Sequence, residues 1–280
     1  MTGADLFLPA IIFVCMIILH VLRENELRKH LKDTVPGYEI GAASTFGDRE
    51  VQQDYFGVKN LQGVLLMTLA DGIGANGEIA AKIAVDTFRE IFDDPSSIHK
   101  PQYFFRRAAN AAQKKITNAL DERQGETSIA AVILNDGQLF YTLAGNCRVT
   151  VFRDGDLIPV SEGQTIDVLA RHQYHEGRIS KQETLALMER HQRYNVIGQD
   201  SFQEIELFAK PLTLKPNDLV VVMSAGVFET LRWVELEEVL TKKFPVQRLA
   251  DEIISLINNS PKSDKDNATI LICRQKMRAG

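Results

Sequence analysis

Carboxylates stand at the ends of several apolar runs in this sequence. The run 64–70 (VLLMTLA) stops at Asp71-Gly72-Ile73-Gly74, and the run 268–273 is preceded by Asp264-Lys265-Asp266-Asn267. An early strand opens with Gln53-Asp54-Tyr55-Phe56. A carboxylate at the mouth of a buried strand is costly to desolvate unless a counter-charge or a metal ion meets it. Three of them brought to one edge of a sandwich would make a hard-oxygen site of the kind that holds Mg²⁺ or Mn²⁺. Spacing alone favours the plainer reading, ordinary turn aspartates, over the metal site.

Gly72-x-Gly74-x-x-Gly77 also has the spacing of a dinucleotide fingerprint, after a strand and opening a helix. Asp71 would stand against the pyrophosphate and repel it. The acid about twenty residues on, Asp93 or Asp94, follows a helix where a ribose-binding acid should follow a strand. A nucleotide fold is therefore set aside.

The elements that must position these turns are short. Runs at 129–134, 139–144, 149–152 and 219–223 are apolar and bounded by Gly, Asn or Asp, as strands are. Asn135-Asp136-Gly137 and Asp154-Gly155-Asp156 read as hairpin turns, which predicts an antiparallel meander over about 127–160. Before it, 78–92 puts Ile79, Ile83, Phe88 and Phe92 near one face, and 101–120 does the same with Phe104, Ala108, Ala112 and Ile116. A polar helical insertion broken by Gly177 is expected over 169–191, and closing helices over 234–243 and 246–258. Adjacent helices followed by hairpins argue for an α+β domain, helices layered on antiparallel sheets, and against an alternating parallel sheet.

The chain has 280 residues, 45% hydrophobic and 25% charged, which excludes fibrous and disordered classes. Its 32 Lys+Arg against 37 Asp+Glu give a net charge of −5, so no nucleic-acid partner is expected. Cys15, Cys147 and Cys273 lie far apart and predict buried thiols in a reducing compartment, not a disulfide framework.

Residues 6–22 (LFLPAIIFVCMIILHVL) contain no Asp, Glu, Lys or Arg. At the helical rise the run is roughly 25 Å long, at the short end of what crosses a bilayer core. Arg23, Arg28, Lys29 and Lys32 all follow it. The reading is a transmembrane helix at 6–22, a juxtamembrane spacer at 23–36 and a soluble body at 37–275. The N-terminus would face outward and the body would stay in the cytoplasm.

In order along the body, the motifs resemble those of the metal-dependent protein phosphatases, the type 2C or PPM family. Gly47-Asp48-Arg49-Glu50-Val51-Gln52-Gln53-Asp54 resembles its opening G-x-R-x-x-N-[EQ]-D, and Ala70-Asp71-Gly72-Ile73-Gly74 its ADGMGG turn. Thr127-Ser128 stands near its G-T-T strand, Ala144-Gly145-Asn146-Cys147-Arg148 near V-G-D-S-R, and Gly177-Arg178-Ile179-Ser180 near the G-x-I-[ST] of its flap. Asn195-Val196-Ile197-Gly198, Ser224-Ala225-Gly226 and Asp266-Asn267-Ala268-Thr269 follow as N-x-[IL]-[TG], S-D-G and D-N-A-T. The resemblance implies an antiparallel β-sandwich flanked by helices on both faces. It also implies two Mg²⁺ or Mn²⁺ ions that activate a water for attack on phosphoserine or phosphothreonine. Carried over, Asp71 would serve both ions, Asp266 the first, and the Gly72 carbonyl and Asp54 the second, while Arg49 would hold the phosphate.

The departures lie in the same motifs. Ala225 replaces the aspartate of S-D-G, Asn146 that of G-D-S-R, and Gly163-Gln164 stands where members usually carry Asp-His. Glu229, a helical turn past Ala225, is not expected to compensate. Two functions follow: a membrane-tethered, weakened serine/threonine phosphatase acting on phosphorylated proteins, or a pseudophosphatase that binds or regulates a protein partner.

Overall fold

The computed structural model describes residues 37–120, 124–188 and 192–276, so the expected transmembrane helix and spacer lie outside the described residues, as does Cys15. No helix of the described residues is long and apolar enough to cross a membrane.

Two antiparallel sheets make the centre. The first orders β1 (Tyr38–Thr45), β11 (Ala268–Gln275), β10 (Leu219–Met223), β6 (Arg148–Arg153) and β7 (Asp156–Pro159). The second orders β2 (Asp54–Leu61), β3 (Val64–Ile73), β4 (Glu126–Asn135), β5 (Gln138–Ala144) and β8 (Glu206–Leu207), with β9 (Leu212–Thr213) also on β5. Leu65, Met67, Leu69, Val132, Val149, Val222 and Leu271 fill the space between the sheets. The strands are apolar on both faces because helices cover the outer sides. Helices α1 (Gly77–Ile91), α2 (Ser96–His99) and α3 (Pro101–Leu120) cover the second sheet, with Phe88, Phe92, Phe104 and Phe105 buried beneath them. On the first sheet, α6 (Ala225–Thr230), α7 (Trp233–Leu240) and α8 (Val246–Asn259) bury Leu236, Leu249, Ile253 and Ile257. Helices α4 (Ile166–His175) and α5 (Lys181–Leu187) form the insertion, where Gly177 takes φ 72° and Ser180 with Glu183 makes a capping box.

The layered α+β reading holds, with two corrections. The expected meander is two hairpins in opposite sheets: β5 pairs with β4, β6 with β7, and residues 145–147 carry the chain across. Each hairpin turns as expected, through positive φ at Asp136-Gly137 and Asp154-Gly155. Ile79 is 44% exposed; the buried stripe of α1 is Ala80, Ala81, Ala84, Val85 and Phe88, and its alanines let the helix seat close on the sheet. Strand β1 lacks a strong apolar signal because α8 crosses it. A Cβ on Gly41 would lie 2.5 Å from the Gln247 nitrogen, and the Gln247 side chain donates to the Ala42 carbonyl at 2.8 Å.

Candidate active site

The antiparallel register of β2 with β3 makes Asp54 and Asp71 direct partners, so both carboxylates are delivered to the same edge of the second sheet. Both are buried. Gly72 follows Asp71 because the first residue of α1 lies against it: a Cβ there would sit 2.3 Å from the Gly77 carbonyl oxygen. The Gly72 amide donates to the Gln53 carbonyl at 3.2 Å, tying the two strand ends together.

Asp266 comes from the other sheet, just before β11. Its neighbour Asn267 binds the incoming loop. The Asn267 Oδ1 accepts the Gln53 amide at 2.8 Å, and its Nδ2 donates to the carbonyls of Phe46 at 2.9 Å and Val51 at 3.0 Å. That loop carries Arg49, whose Nε donates to Asp266 Oδ1 at 3.0 Å and whose Nη1 donates to Asp264 Oδ1 at 2.7 Å. Gly47 permits the approach: its φ is 61°, and a Cβ would meet the Asp266 carbonyl oxygen at 2.3 Å. All five sequence-predicted residues, Arg49, Asp54, Asp71, Gly72 and Asp266, therefore gather where the two sheets meet.

The charges are felt. Burial pushes the Asp54 carboxyl well above the ordinary carboxylate range, helped by repulsion from Asp71 and Asp266 and opposed by the Ser224 hydroxyl. Asp71 is pushed up to about 6, chiefly by burial. Asp266 and Glu229 add to that rise, while Arg193 and the Ala225 N–H oppose it. The Glu229 charge thus reaches Asp71, although its side chain lines the neighbouring cavity. That cavity, about 980 Å³, is also bordered by Asn146, Arg148, Arg171, His172 and Phe228.

The departures have structural roles. Ala225 supplies no side-chain oxygen; its backbone N–H at the start of α6 only helps to hold the Asp71 pKa down. The Asn146 Oδ1 accepts the Ser128 hydroxyl at 3.0 Å. Gln164 is buried, accepts the Asn195 amide at 2.7 Å and donates to the Glu204 carbonyl at 2.8 Å. Sequence reasoning missed three groups. Ser224 Oγ donates to Asp54 Oδ2 at 2.8 Å. Cys147 lies beneath the carboxylates; burial first, then the charges of Asp71 and Asp54, raise its pKa well above the ordinary value and keep it a neutral thiol. Arg193 places Nη1 3.6 Å from Asp71 Oδ1. Only its place two residues before Asn195 could have pointed to it.

Among the described residues, no three His, Cys, Asp or Glu side chains stand close enough together to hold a metal ion. The oxygen donors still fit one Mg²⁺ or Mn²⁺, since such ions are commonly held by one or two carboxylates and keep several waters. Asp54, Asp71 and the Gly72 carbonyl are the groups that would hold it. A second ion beside Asp71 and Asp266 does not fit as the residues stand: Ala225 offers no ligand, Arg193 faces Asp71, and Arg49 holds Asp266.

The family model described as Protein phosphatase 2C matches residues 43–258. A putative protein phosphatase 2C-type of Streptococcus pyogenes is 26% identical over 233 residues, 80% of this chain and 92% of the relative. A serine/threonine phosphatase of Listeria monocytogenes is 22% identical over 243 residues, 82% of this chain and 92% of its own. The solved structure of the Streptococcus agalactiae serine/threonine phosphatase superposes with a TM-score of 0.74 at 22% identity, covering 85% of this chain and 100% of that one. That of the Mycobacterium tuberculosis serine/threonine phosphatase gives 0.70 at 21%, covering 85% and 99%. Both share this layered arrangement of antiparallel sheets and flanking helices.

Proposed function

We propose that this chain, which belongs to the protein phosphatase 2C family, is a membrane-anchored hydrolase of phosphoserine and phosphothreonine in proteins, weakened by the absence of a carboxylate at Ala225. The observation that carries the reading is the convergence of Asp54, Asp71, Asp266 and Arg49 where the two sheets meet, supplied by three separate segments in the family's order. Relatives at 26% and 22% identity over most of the body bear phosphatase names.

The buried carboxylates supply the negative charge that would hold a divalent cation, which on binding acidifies a water and stabilises the attacking and leaving oxygens. Asp71 must be ionised for this, and a cation beside it would lower its pKa again. Arg49 sits at the rim with its side chain 41% exposed. Two acidic partners align its planar fork, leaving N–H groups free to meet a phosphate. Burial of Asp54 and Asp71 excludes bulk water and strengthens each of these interactions.

A second reading, a binding or regulatory module on the same fold, is favoured by Ala225 and by Arg193 on Asp71. Phosphate release from a phosphothreonine peptide by the purified full chain, with excess Mn²⁺ and then with EDTA, separates the two. Release that EDTA abolishes supports the enzyme; none with Mn²⁺ supports the module. Anchoring rests on the apolar run 6–22 followed by Arg23, Arg28, Lys29 and Lys32. Protease added to intact cells should leave the body uncut, and recovery of full-length chain in the soluble fraction would contradict the anchor.

A further inference from the structure

Arg193 does not reach Asp71 as a loose surface side chain. Its backbone forms an isolated bridge with Thr165, and each neighbour is fastened. The Ile166 amide donates to the Gln192 carbonyl at 2.9 Å, and the Tyr194 amide donates to the Gln164 carbonyl at 3.1 Å. Asn195 Nδ2 then donates to the Gln164 Oε1 at 2.7 Å and to the Glu204 carbonyl at 2.8 Å. Gln164 is itself fixed, its amide donating to the Gly145 carbonyl at 2.7 Å. A buried amide cluster thus sets the strand-like segment from which the guanidinium extends, with 29% of the side chain exposed and Nη1 3.6 Å from Asp71 Oδ1. The Ala225 N–H also acts on Asp71, and the methyl group of that residue offers no oxygen to a cation.

We infer that Arg193 is a built-in counter-ion of Asp71, filling with a guanidinium a position at which a divalent cation would otherwise bind, so that metal loading of this site competes with Arg193. The charge pattern agrees. Three carboxylates, Asp54, Asp71 and Asp266, face two guanidinium groups, Arg193 and Arg49, and each guanidinium is paired with one of them. Asp54 is the carboxylate of the three that a hydroxyl meets in place of a guanidinium, that of Ser224 at 2.8 Å. A cation therefore has a place at the Asp54 side of Asp71, and a second gains one only when Arg193 swings away. This inference rests on the metal-binding part of the reading above, not on hydrolysis.

Mn²⁺ titration of the purified full chain, followed by the electron paramagnetic resonance signal of free Mn²⁺, tests it. Arg193→Gln should bind Mn²⁺ about 10-fold more tightly or better, the scale on which groups next to a ligand alter metal affinity. Arg171→Gln removes a cation from the neighbouring cavity without touching Asp71 and should leave the affinity within about twofold, since exposed charges are screened. Arg193→Lys, which keeps the charge and loses the planar fork, should fall between and serves if Arg193→Gln does not fold. Unchanged or weaker binding in the folded Arg193 variants, equal tightening by Arg171→Gln, or no Mn²⁺ bound by any variant overturns the inference. Tightened binding without phosphate release would leave it standing while removing the phosphatase reading.

Discussion

The Ser224 hydroxyl donates to Asp54 Oδ2 at 2.8 Å and accepts the Thr269 amide at 2.9 Å, so one buried side chain joins both sheets beneath the site. Ser224→Ala would leave Asp54 buried without that donor and the Thr269 amide without that acceptor. Loss of a buried partner costs about 1–3 kcal/mol. Urea denaturation should show a lower midpoint with an unchanged slope, and a midpoint equal to that of the wild type would remove Ser224 from this role.

The raised pKa of Asp71 sets a sign for pH. Its carboxyl moves from an ordinary value of 3.8 to about 6 on folding, so between these values the folded state binds more protons than the unfolded one. The associated stability is fully present below about 3.8 and is lost as pH rises through about 6. In EDTA, Asp71→Asn should therefore be more stable than the wild type at pH 7, by up to about 3 kcal/mol. The gap should close towards pH 4. Thermal melts across that range check it, and a gap that widens towards acid would contradict the assignment.

Asn267 and Gly226 form a tight seam behind the edge that carries the carboxylates. A Cβ on Gly226 would lie 2.1 Å from the Asn267 carbonyl oxygen, backbone against backbone, so Gly226→Ala should cost about 3 kcal/mol or more. Asn267→Ala removes three hydrogen bonds to Gln53, Phe46 and Val51. At about 1 kcal/mol each the loss approaches 3 kcal/mol. Hydrogen exchange should quicken first at residues 46–53, the loop that carries Arg49; protection unchanged there would show that Asn267 does not hold it.

Restoring a carboxylate at Ala225 should make stability depend on metal. The position is buried and next to Asp71, so Ala225→Asp adds an unpaired charge and should lower the melting temperature in EDTA. Mn²⁺ should recover more of that loss than it adds to the wild type, by the ordinary linkage of binding to folding. Equal Mn²⁺ shifts in both proteins would mean that the introduced carboxylate does not reach the ion.

The sequence made the acidic turns and most strands legible because most apolar runs have a Gly, Asn or Asp at one end or close to it, where the fold turns. Residues 101–120 form the expected helix from end to end, since Phe104, Ala108, Ala112 and Ile116 keep one face apolar. Strand β1 was hidden because its helix contact demands small residues at Gly41, Ala42 and Ala43. The crossing from β5 to β6 was hidden because a hairpin turn and a change of sheet can share one local signature; Gly145, at φ 87°, makes the difference. Within the site, the carboxylates were readable through the motif resemblance, since their spacing alone favoured ordinary turn aspartates. Arg193 and Ser224 were not, because each acts on a residue more than a hundred positions away through contacts that no local pattern records.

Asp71 stands at the centre of the proposed phosphate-releasing site. The most direct measurement is kcat/KM for a phosphoserine peptide at saturating Mn²⁺, in the full-length wild type and in a folded Asp71→Asn variant. The wild type should release phosphate measurably and Asp71→Asn should fall by at least about 100-fold, the range seen when a group stabilising the transition state is removed. Equal rates in the two proteins, or no release by a folded, Mn²⁺-loaded wild type, would contradict it.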